Sequence, residues 1–158
     1  MEIIAEIGQN FNGEMRLAEK LIRVAAEMGA DVVKFQLYDA RALFPKENNP
    51  WFEYNCKTEL SRSDLGFLKN ICDDLDIEFL ASPFDVERVS WLEELGVKRY
   101  KIASRSISDN DLLSAVIETG KPIIASLGMW DSDNFPQIEA QEISFLYCIS
   151  KYPALLTD

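Results

Sequence analysis

The sequence predicts an α/β fold in which about six parallel strands alternate with helices. Two observations support this: short runs rich in β-branched residues recur along the chain, and amphipathic stretches with helical spacing separate them. Alternating units of this kind form a parallel sheet covered by helices. An open doubly wound sheet and a (β/α) barrel both have this pattern, but 158 residues are fewer than the roughly 200 that a closed eight-stranded barrel needs.

The first half of the chain contains three predicted strands and two long helices. The first strand ends at Gly8, and the residues after it lack the GxGxxG pattern of nucleotide-binding sheets. Gly29 ends the first helix, and Ser61 or Ser63 caps the second. A long aromatic-rich connection lies between the second strand and that helix, over residues 37–60. The strands are predicted at 3–8, 31–36 and 78–83, and the helices at 17–28 and 61–75.

The second half repeats the same unit until about residue 128. Asp85 caps one predicted helix, and Ser108 with Asp111 resembles a capping box at the start of the next. The connection over residues 129–142 has room for one or two helical turns at most, so the regular unit breaks there. The strands are predicted at 99–104, 122–128 and 143–150, and the helices at 85–95 and 108–120.

The composition excludes several classes of function. The chain has no histidine, which rules out Ser-His-Asp and Cys-His catalysis and any histidine-ligated metal. Its 27 Asp and Glu residues against 16 Lys and Arg give a formal net charge of -11, which argues against nucleic acid or an anionic membrane as a partner. Three scattered cysteines, no long apolar run and no basic leader predict a cytoplasmic protein with reduced thiols.

Polar side chains stand near the carboxyl ends of the predicted strands, where the loops of a (β/α) fold surround a substrate. Lys34 and Lys101 lie in strands expected to be buried on both faces, where a lysine is costly unless an opposite charge pairs with it. An anionic ligand would supply that charge, and serines at the same edge would donate to its oxygens. The residues are Glu6, Lys34, Gln36, Ser82, Lys101, Ser104, Ser126, Ser150 and Tyr152.

Structural explanations exist for some of these residues. Lys34 can pair with Glu6 as a structural ion pair, and a serine at a strand end often caps the next helix. The two lysines taken together favour an anion-binding function. In the long connection, Trp51, Phe52 and Tyr54 either form a lid over a ligand or cover exposed edge surface, and the sequence favours neither.

Six short motifs occur in a fixed order over essentially the whole chain. Together they resemble the N-terminal barrel of the sialic acid synthase family, which comprises N-acetylneuraminate synthase and its pseudaminic and legionaminic acid relatives. The resemblance implies a single domain over residues 1–158 with an incomplete TIM-type (β/α) barrel of about six parallel strands. The motifs are IAEIGQNFNG (4–13), VKFQ (33–36), SPF (82–84), YKIAS (100–104), GKPIIASLGM (120–129) and CISKYP (148–153).

The resemblance also implies a reaction, in which phosphoenolpyruvate condenses with an N-acetylated amino sugar such as N-acetylmannosamine and phosphate is released. A divalent metal, manganese or magnesium, activates the sugar aldehyde in that family. The catalytic residues implied by the motifs are Glu6, near the reacting carbons, and Lys34 and Lys101, which hold phosphoenolpyruvate. The implied substrate-binding residues are Ser82, Ser104 and Ser126 for phosphoenolpyruvate, Asn10, Gln36 and Tyr152 on the sugar side, and Ser150 at a position that is often asparagine.

The sequence departs from the family pattern at several positions. Phe11 replaces a histidine in the first motif, Arg105-Ser106 replaces a glycine and an acidic residue, and Tyr147 replaces a histidine. The family's metal-binding histidines, its last two barrel strands and its antifreeze-like C-terminal domain have no counterpart in these residues. The resemblance therefore predicts a nonulosonic acid synthase with impaired activity and no metal ligands of its own.

Two other functions remain open on the sequence. One is a non-catalytic module that keeps the anion or sugar site, and the other is a different phosphoenolpyruvate-condensing barrel such as a keto-sugar-phosphate synthase, which the QNxNG stretch fits less well. Strands that do not close a barrel leave two unpaired edges, and unpaired edges favour association. The sequence therefore predicts a homodimer or a complementing second chain.

Overall fold

The computed structural model describes residues 1–151, 154–155 and 157. Within these residues six parallel strands form two three-stranded sheets, in the orders β1-β2-β3 and β4-β5-β6. The third and fourth strands pack side by side where the two sheets meet. The strands are β1 (Ile4–Gly8), β2 (Val32–Leu37), β3 (Glu78–Pro83), β4 (Tyr100–Ile102), β5 (Ile123–Ser126) and β6 (Ile143–Leu146).

Because all paired strands run parallel, their carboxyl ends lie along the same edge of each sheet. The register places Glu6 beside Lys34, and Gln36 beside Ser82. Lys101 is paired with Ile124, two residues before Ser126. The α/β prediction with parallel strands is confirmed, whereas the TIM-type barrel remains a prediction.

Four longer helices cover the strands: α1 (Met15–Glu27), α4 (Arg62–Asp74), α5 (Val86–Glu94) and α6 (Asn110–Glu118). Ser61 caps α4 and forms a capping box with Asp64, and Asp85 caps α5 by accepting the Arg88 N–H at 2.8 Å, as the sequence predicts. The predicted Ser108 cap is wrong. Asp109 caps α6 instead, since the turn at Ser104–Ser106 delays the helix and the Asp109 carboxylate then reaches the Leu112 N–H.

The long connection after β2 contains two short helices that the sequence does not predict, α2 (Ala40–Leu43) and α3 (Phe52–Lys57). Each has at most six residues, which is too short for apolar periodicity to reveal it. A polar network attaches α3 to the turn after β1: the Gln9 side-chain amide donates to Tyr38, Asn55 and Thr58. The Asp39 side chain caps α2 locally, by accepting from the Arg41 and Ala42 N–H groups. Tertiary hydrogen bonds therefore order the connection around α3, whereas α2 also has a local cap.

Strands β4 and β6, which both pair with β5, are each shorter than predicted. β4 ends at Ile102 because Ser104–Ser106 turn into a 3-10 helix, and β6 ends at Leu146 although the predicted strand reaches residue 150. The residues after both strands are therefore free of ladder hydrogen bonds and line a cavity.

Phe11, at the position of the family's histidine, lies in the hydrophobic core with 1% of its surface exposed. Its ring packs edge-on against Phe35, which in turn stacks on Phe79. A phenylalanine at this position therefore contributes to packing.

The structure also bears on the state of the cysteines and on membrane-spanning helices. Cys56, Cys72 and Cys148 are all free cysteines, and their reduced state in a cytoplasm stays a prediction. Across the described part of the chain, no helix is both long and apolar enough to cross a bilayer.

Candidate functional site

A cavity of about 610 Å³ lies at the carboxyl ends of the strands, where the sequence places the polar residues. Both sheets contribute to it, since its lining includes residues of β1, β2 and β3 and residues within and after β4, β5 and β6. Eight of the ten predicted site residues line it: Glu6, Lys34, Gln36, Ser82, Lys101, Ser104, Ser126 and Ser150.

The two other predicted residues are not in this group. Asn10 is exposed on the turn after β1 and is not among the lining residues that the structure describes. Tyr152 lies outside the described residues.

Lys34 has an ionic partner within the chain. Its ammonium lies 2.8 Å from the Glu6 carboxylate, a contact that follows from the β1–β2 register. The lysine side chain is buried and the glutamate side chain is 59% exposed, so the pair lies at the mouth of the cavity. The structural ion pair considered on the sequence is therefore present, and it leaves the outer face of Glu6 accessible.

Lys101 differs because its hydrogen-bond acceptors are neutral. Only 4% of the residue is exposed, and its ammonium donates to the Ile102 carbonyl at 2.8 Å and the Ser126 hydroxyl at 2.5 Å. Burial, reinforced by the charge of Lys34, lowers the pKa of Lys101 to about 8, although Glu6 acts in the opposite direction. The cavity therefore contains a buried cation that no carboxylate contacts among the described residues.

Ser82 gives a second indication of a ligand site. It is 1% exposed, it lines the cavity, and its hydroxyl has no hydrogen-bond partner among the described residues. A buried hydroxyl without a partner costs about 1–3 kcal/mol. An acceptor oxygen on a bound molecule would remove this cost.

A third group surrounds the end of β5. The Ser104 hydroxyl lies 3.1 Å from the Cys148 sulfur, on segments that follow β4 and β6. Gly128 lies against both Cys148 and Ser150: a Cβ there would come within 2.8 Å of the Cys148 sulfur and 2.5 Å of the Ser150 hydroxyl. Glycine is required at this position because the neighbouring segment approaches its backbone so closely.

Sequence reasoning missed several lining residues. Tyr38 and Phe84 directly follow β2 and β3, so the rule applied to polar residues at strand ends would also have found these aromatic residues. Arg105 lies on the turn after β4, with its guanidinium 5.5 Å from the centre of the Phe44 ring. No sequence signal links Arg105 with Phe44, because they are far apart along the chain.

The aromatic residues of the long connection have a bracing role. The Tyr54 hydroxyl donates to the Gln9 carbonyl at 2.8 Å and to the Asn12 side chain at 3.1 Å. Trp51 is 67% exposed, and it packs edge-on against Tyr54. Trp51, Phe52 and Tyr54 are not among the described lining residues of the cavity, and the choice between a lid and a cover for exposed edge surface stays open.

The described residues do not fit the divalent metal that the resemblance implies. They contain no group of three His, Cys, Asp or Glu side chains able to hold a metal ion. Among the described lining residues of the cavity, the side chains of these types are Glu6, which is paired with Lys34, and Cys148. This part of the chain therefore offers no site for that metal, and the roles of the cavity side chains are assigned without one.

Comparison with known proteins decides the family. Residues 21–158 match the NeuB family. The chain belongs to this family. The resemblance seen in the six motifs is thereby confirmed, and it places the chain among proteins of sialic acid and carbohydrate biosynthesis.

Individual relatives give the same result. The chain is 35% identical to N,N'-diacetyllegionaminic acid synthase of Legionella pneumophila, over 99% of this chain and 51% of that protein. It is 30% identical to human N-acetylneuraminate-9-phosphate synthase, over 96% of this chain and 47% of that protein. The chain thus spans about half the length of the curated relatives it matches.

A solved structure supports the fold. The N-acetylneuraminic acid synthetase of Leptospira borgpetersenii, crystallised in complex with citrate, superposes with a TM-score of 0.89 at 32% identity. The match covers 98% of this chain and 56% of that one. The fold of this NeuB-family chain therefore matches that of a sialic acid synthase structure over the part that aligns.

Proposed function

We propose that this chain carries the phosphoenolpyruvate-binding part of an enzyme that condenses phosphoenolpyruvate with an N-acetylated amino sugar and releases phosphate. The observation that carries the proposal is Lys101. Its buried ammonium has only neutral acceptors, although it lies in a cavity large enough for a small substrate. Burying a cation is costly unless an opposite charge approaches it, and a phosphate or carboxylate would provide that charge.

The other residues have complementary roles in this proposal. Lys101 and Lys34 neutralise the substrate anion, while Ser82, with its unused hydroxyl, donates to one of its oxygens. Ser104 and Ser126 add neutral donors on the opposite sheet. Glu6, exposed at the mouth of the cavity, faces the reacting carbons, and Gln36 and Ser150 contact the sugar. Asn10 and Tyr152 keep their proposed sugar contacts on the motif resemblance alone.

A second candidate is a module that binds the anion without performing the chemistry. The observation that favours it is the lack of a metal-holding group in the described residues. The matched length supports it as well, since the chain spans only about half of its curated relatives. In this candidate, a homodimeric copy or a second chain provides the rest of the site.

The test begins with binding. Phosphoenolpyruvate is titrated calorimetrically into the wild-type chain, Lys101→Met and the control Lys20→Met, which removes an exposed lysine on α1. We expect Lys101→Met to lose about 2 kcal/mol of binding free energy or more, roughly 30-fold in affinity, because the substrate anion loses its buried partner. Lys20→Met should bind as the wild type does.

Phosphate release then separates the two candidates. Wild-type chain, phosphoenolpyruvate, N-acetylmannosamine and manganese are incubated together, and free phosphate is measured. If the wild-type chain releases phosphate and the Lys101→Met variant does not, the synthase is supported. Binding without release supports the non-catalytic module. An absence of phosphoenolpyruvate binding, or equal binding by Lys101→Met, would overturn both.

A further inference from the structure

The three cysteines occupy three different environments, and only Cys148 lines the cavity. Cys72 is fully buried on α4, where burial raises the pKa of its thiol to about 12. Cys56 is half-buried on α3, away from the cavity lining. The chain therefore contains its own controls for any property of Cys148.

The Cys148 sulfur lies beside several polar groups. The Ser104 hydroxyl lies 3.1 Å from it. The Gly128 backbone approaches the sulfur closely, and both this backbone and the Ser126 hydroxyl favour the thiolate. Partial burial acts to raise the pKa of the thiol, but these groups and the charge of Lys101 outweigh it, so the pKa lies below its ordinary value. Donors aimed at a sulfur beside a cation stabilise the thiolate, which is the nucleophilic form.

The cavity around Cys148 is also built to receive a polar molecule. The Ser82 hydroxyl is buried, lines the same cavity and has no partner among the described residues. The Gly128 backbone leaves room for the Cys148 sulfur that any side chain there would remove. The residues that line this cavity thus include an unused donor, a cation and a sulfur.

We propose that Cys148 is a modification site, at which the thiolate reacts with a small electrophile such as a peroxide and the product closes the cavity to anions. With hydrogen peroxide the sulfur attacks one peroxide oxygen, an S–O bond forms and the O–O bond breaks. The thiolate is oxidised to a sulfenic acid, and the peroxide is reduced to hydroxide and the new S–O group. A thiol reductant restores Cys148: one reductant thiol displaces water from the sulfenic acid to form a mixed disulfide, and a second releases the cysteine thiol and leaves the reductant as its disulfide.

The consequence for binding follows from the position of the sulfur. Cys148 lies 3.1 Å from the Ser104 hydroxyl, and it lines the same cavity as Lys101 and Ser126, near enough for the charge of Lys101 to act on the thiol. An oxygen or alkyl group added to the sulfur therefore occupies part of the cavity in which the anion would bind. This part of the inference rests on the proposed anion site, whereas the reactivity of the thiol does not.

Reactivity is tested by iodoacetamide labelling of the native chain near neutral pH, with each cysteine followed by mass spectrometry. We expect Cys148 to be labelled about ten-fold faster than Cys56, and Cys72 to remain unlabelled, because thiolate fraction and access set the rate. Ser104→Ala should slow the labelling of Cys148 and move its pH profile upward, with Cys56 unchanged. Labelling of Cys56 as fast as Cys148, or an unchanged profile in Ser104→Ala, would overturn the inference.

Blocking is tested with hydrogen peroxide and phosphoenolpyruvate. Peroxide should reduce phosphoenolpyruvate binding by the wild type at least about ten-fold, reversibly with a thiol, and saturating phosphoenolpyruvate should slow the labelling of Cys148. Peroxide should not change the affinity of the Cys148→Ser variant for phosphoenolpyruvate. If treated wild type binds as before, the blocking role is wrong and the proposed function stands. If untreated wild type does not bind, the proposed function fails, and the labelling rates still decide the modification site.

Discussion

Arg99 and Lys101 are two residues apart, yet they have opposite electrostatic environments. Arg99 directly precedes β4, whereas Lys101 lies within β4 and lines the cavity at the carboxyl ends of the strands. The Arg99 guanidinium donates to Glu2 at 2.5 Å and to Glu78 at 2.7 Å, and these bonds hold its pKa above the ordinary value. Lys101 has only neutral acceptors, and burial lowers its pKa to about 8. The charge of Arg99 is therefore paired within the chain, whereas the charge of Lys101 is available to an anionic ligand.

The electrostatic environment of Lys34 combines features of Arg99 and Lys101. It lines the cavity and is buried, as Lys101 is, but it contacts a carboxylate, as Arg99 does. That carboxylate, Glu6, is largely exposed and lies at the cavity mouth rather than in a closed network. The comparison shows that a buried cation alone does not indicate a site, because its partners decide whether it serves stability or binding.

The largest expected effect is on stability, and it contrasts the two cations directly. Arg99→Met should lower the free energy of unfolding by about 2 kcal/mol or more, because it leaves Glu78, a mostly buried carboxylate, and Glu2 without their cation. Lys101→Met should leave it unchanged or raise it, since it removes a buried ammonium that no carboxylate contacts. Urea denaturation at neutral pH measures both. Equal destabilisation by the two variants would contradict the contrast.

A second effect concerns the packing of the carboxyl edge. Gly128→Ala should destabilise the fold by about 1–3 kcal/mol and weaken phosphoenolpyruvate binding, since the new Cβ would lie 2.5 Å from the Ser150 hydroxyl and 2.7 Å from the Cys148 carbonyl. The matched control is Gly66→Ala on α4, where a Cβ meets nothing within 4 Å. Gly66→Ala should stabilise the helix by about 0.5–1 kcal/mol. Urea denaturation compares the stabilities of the two variants, and calorimetry compares their affinities for phosphoenolpyruvate. A Gly128→Ala variant as stable as the wild type would contradict the close approach of residues 148 and 150 to Gly128.

The smallest effect is a pH dependence. Because the pKa of Lys101 falls from 10.5 to about 8 on folding, the ammonium is lost above pH 8 and phosphoenolpyruvate affinity should fall roughly ten-fold between pH 7 and pH 9. Over the interval from about 8 to 10.5 the folded chain binds fewer protons than the unfolded chain, so Lys101 makes stability increase with pH there. Calorimetry across this range measures the affinity. The phosphoenolpyruvate affinity of Lys101→Met should not depend on pH over this range. A wild-type affinity that stays constant between pH 7 and pH 9 would contradict the prediction.

The sequence predicts much of the fold because strand and helix patterns are local. The β-branched runs, the Ser61 and Asp85 caps and the order of the units are confirmed. The failures have different causes. α2 and α3 are too short for apolar periodicity to reveal them, and α3 is held by contacts such as Gln9 with Asn55. The α6 cap moves to Asp109 because of the turn before it.

In the candidate site, too, the sequence determined some features and the tertiary structure decided others. The sequence by itself determined the family and the residues at the strand ends, because parallel strands must bring their carboxyl ends to one edge. The tertiary structure alone decided which cation has a carboxylate partner, why Phe11 belongs to the core, and that Ser104 and Cys148 lie 3.1 Å apart. These depend on residues from separate strands, and their distances follow from packing rather than from spacing along the chain.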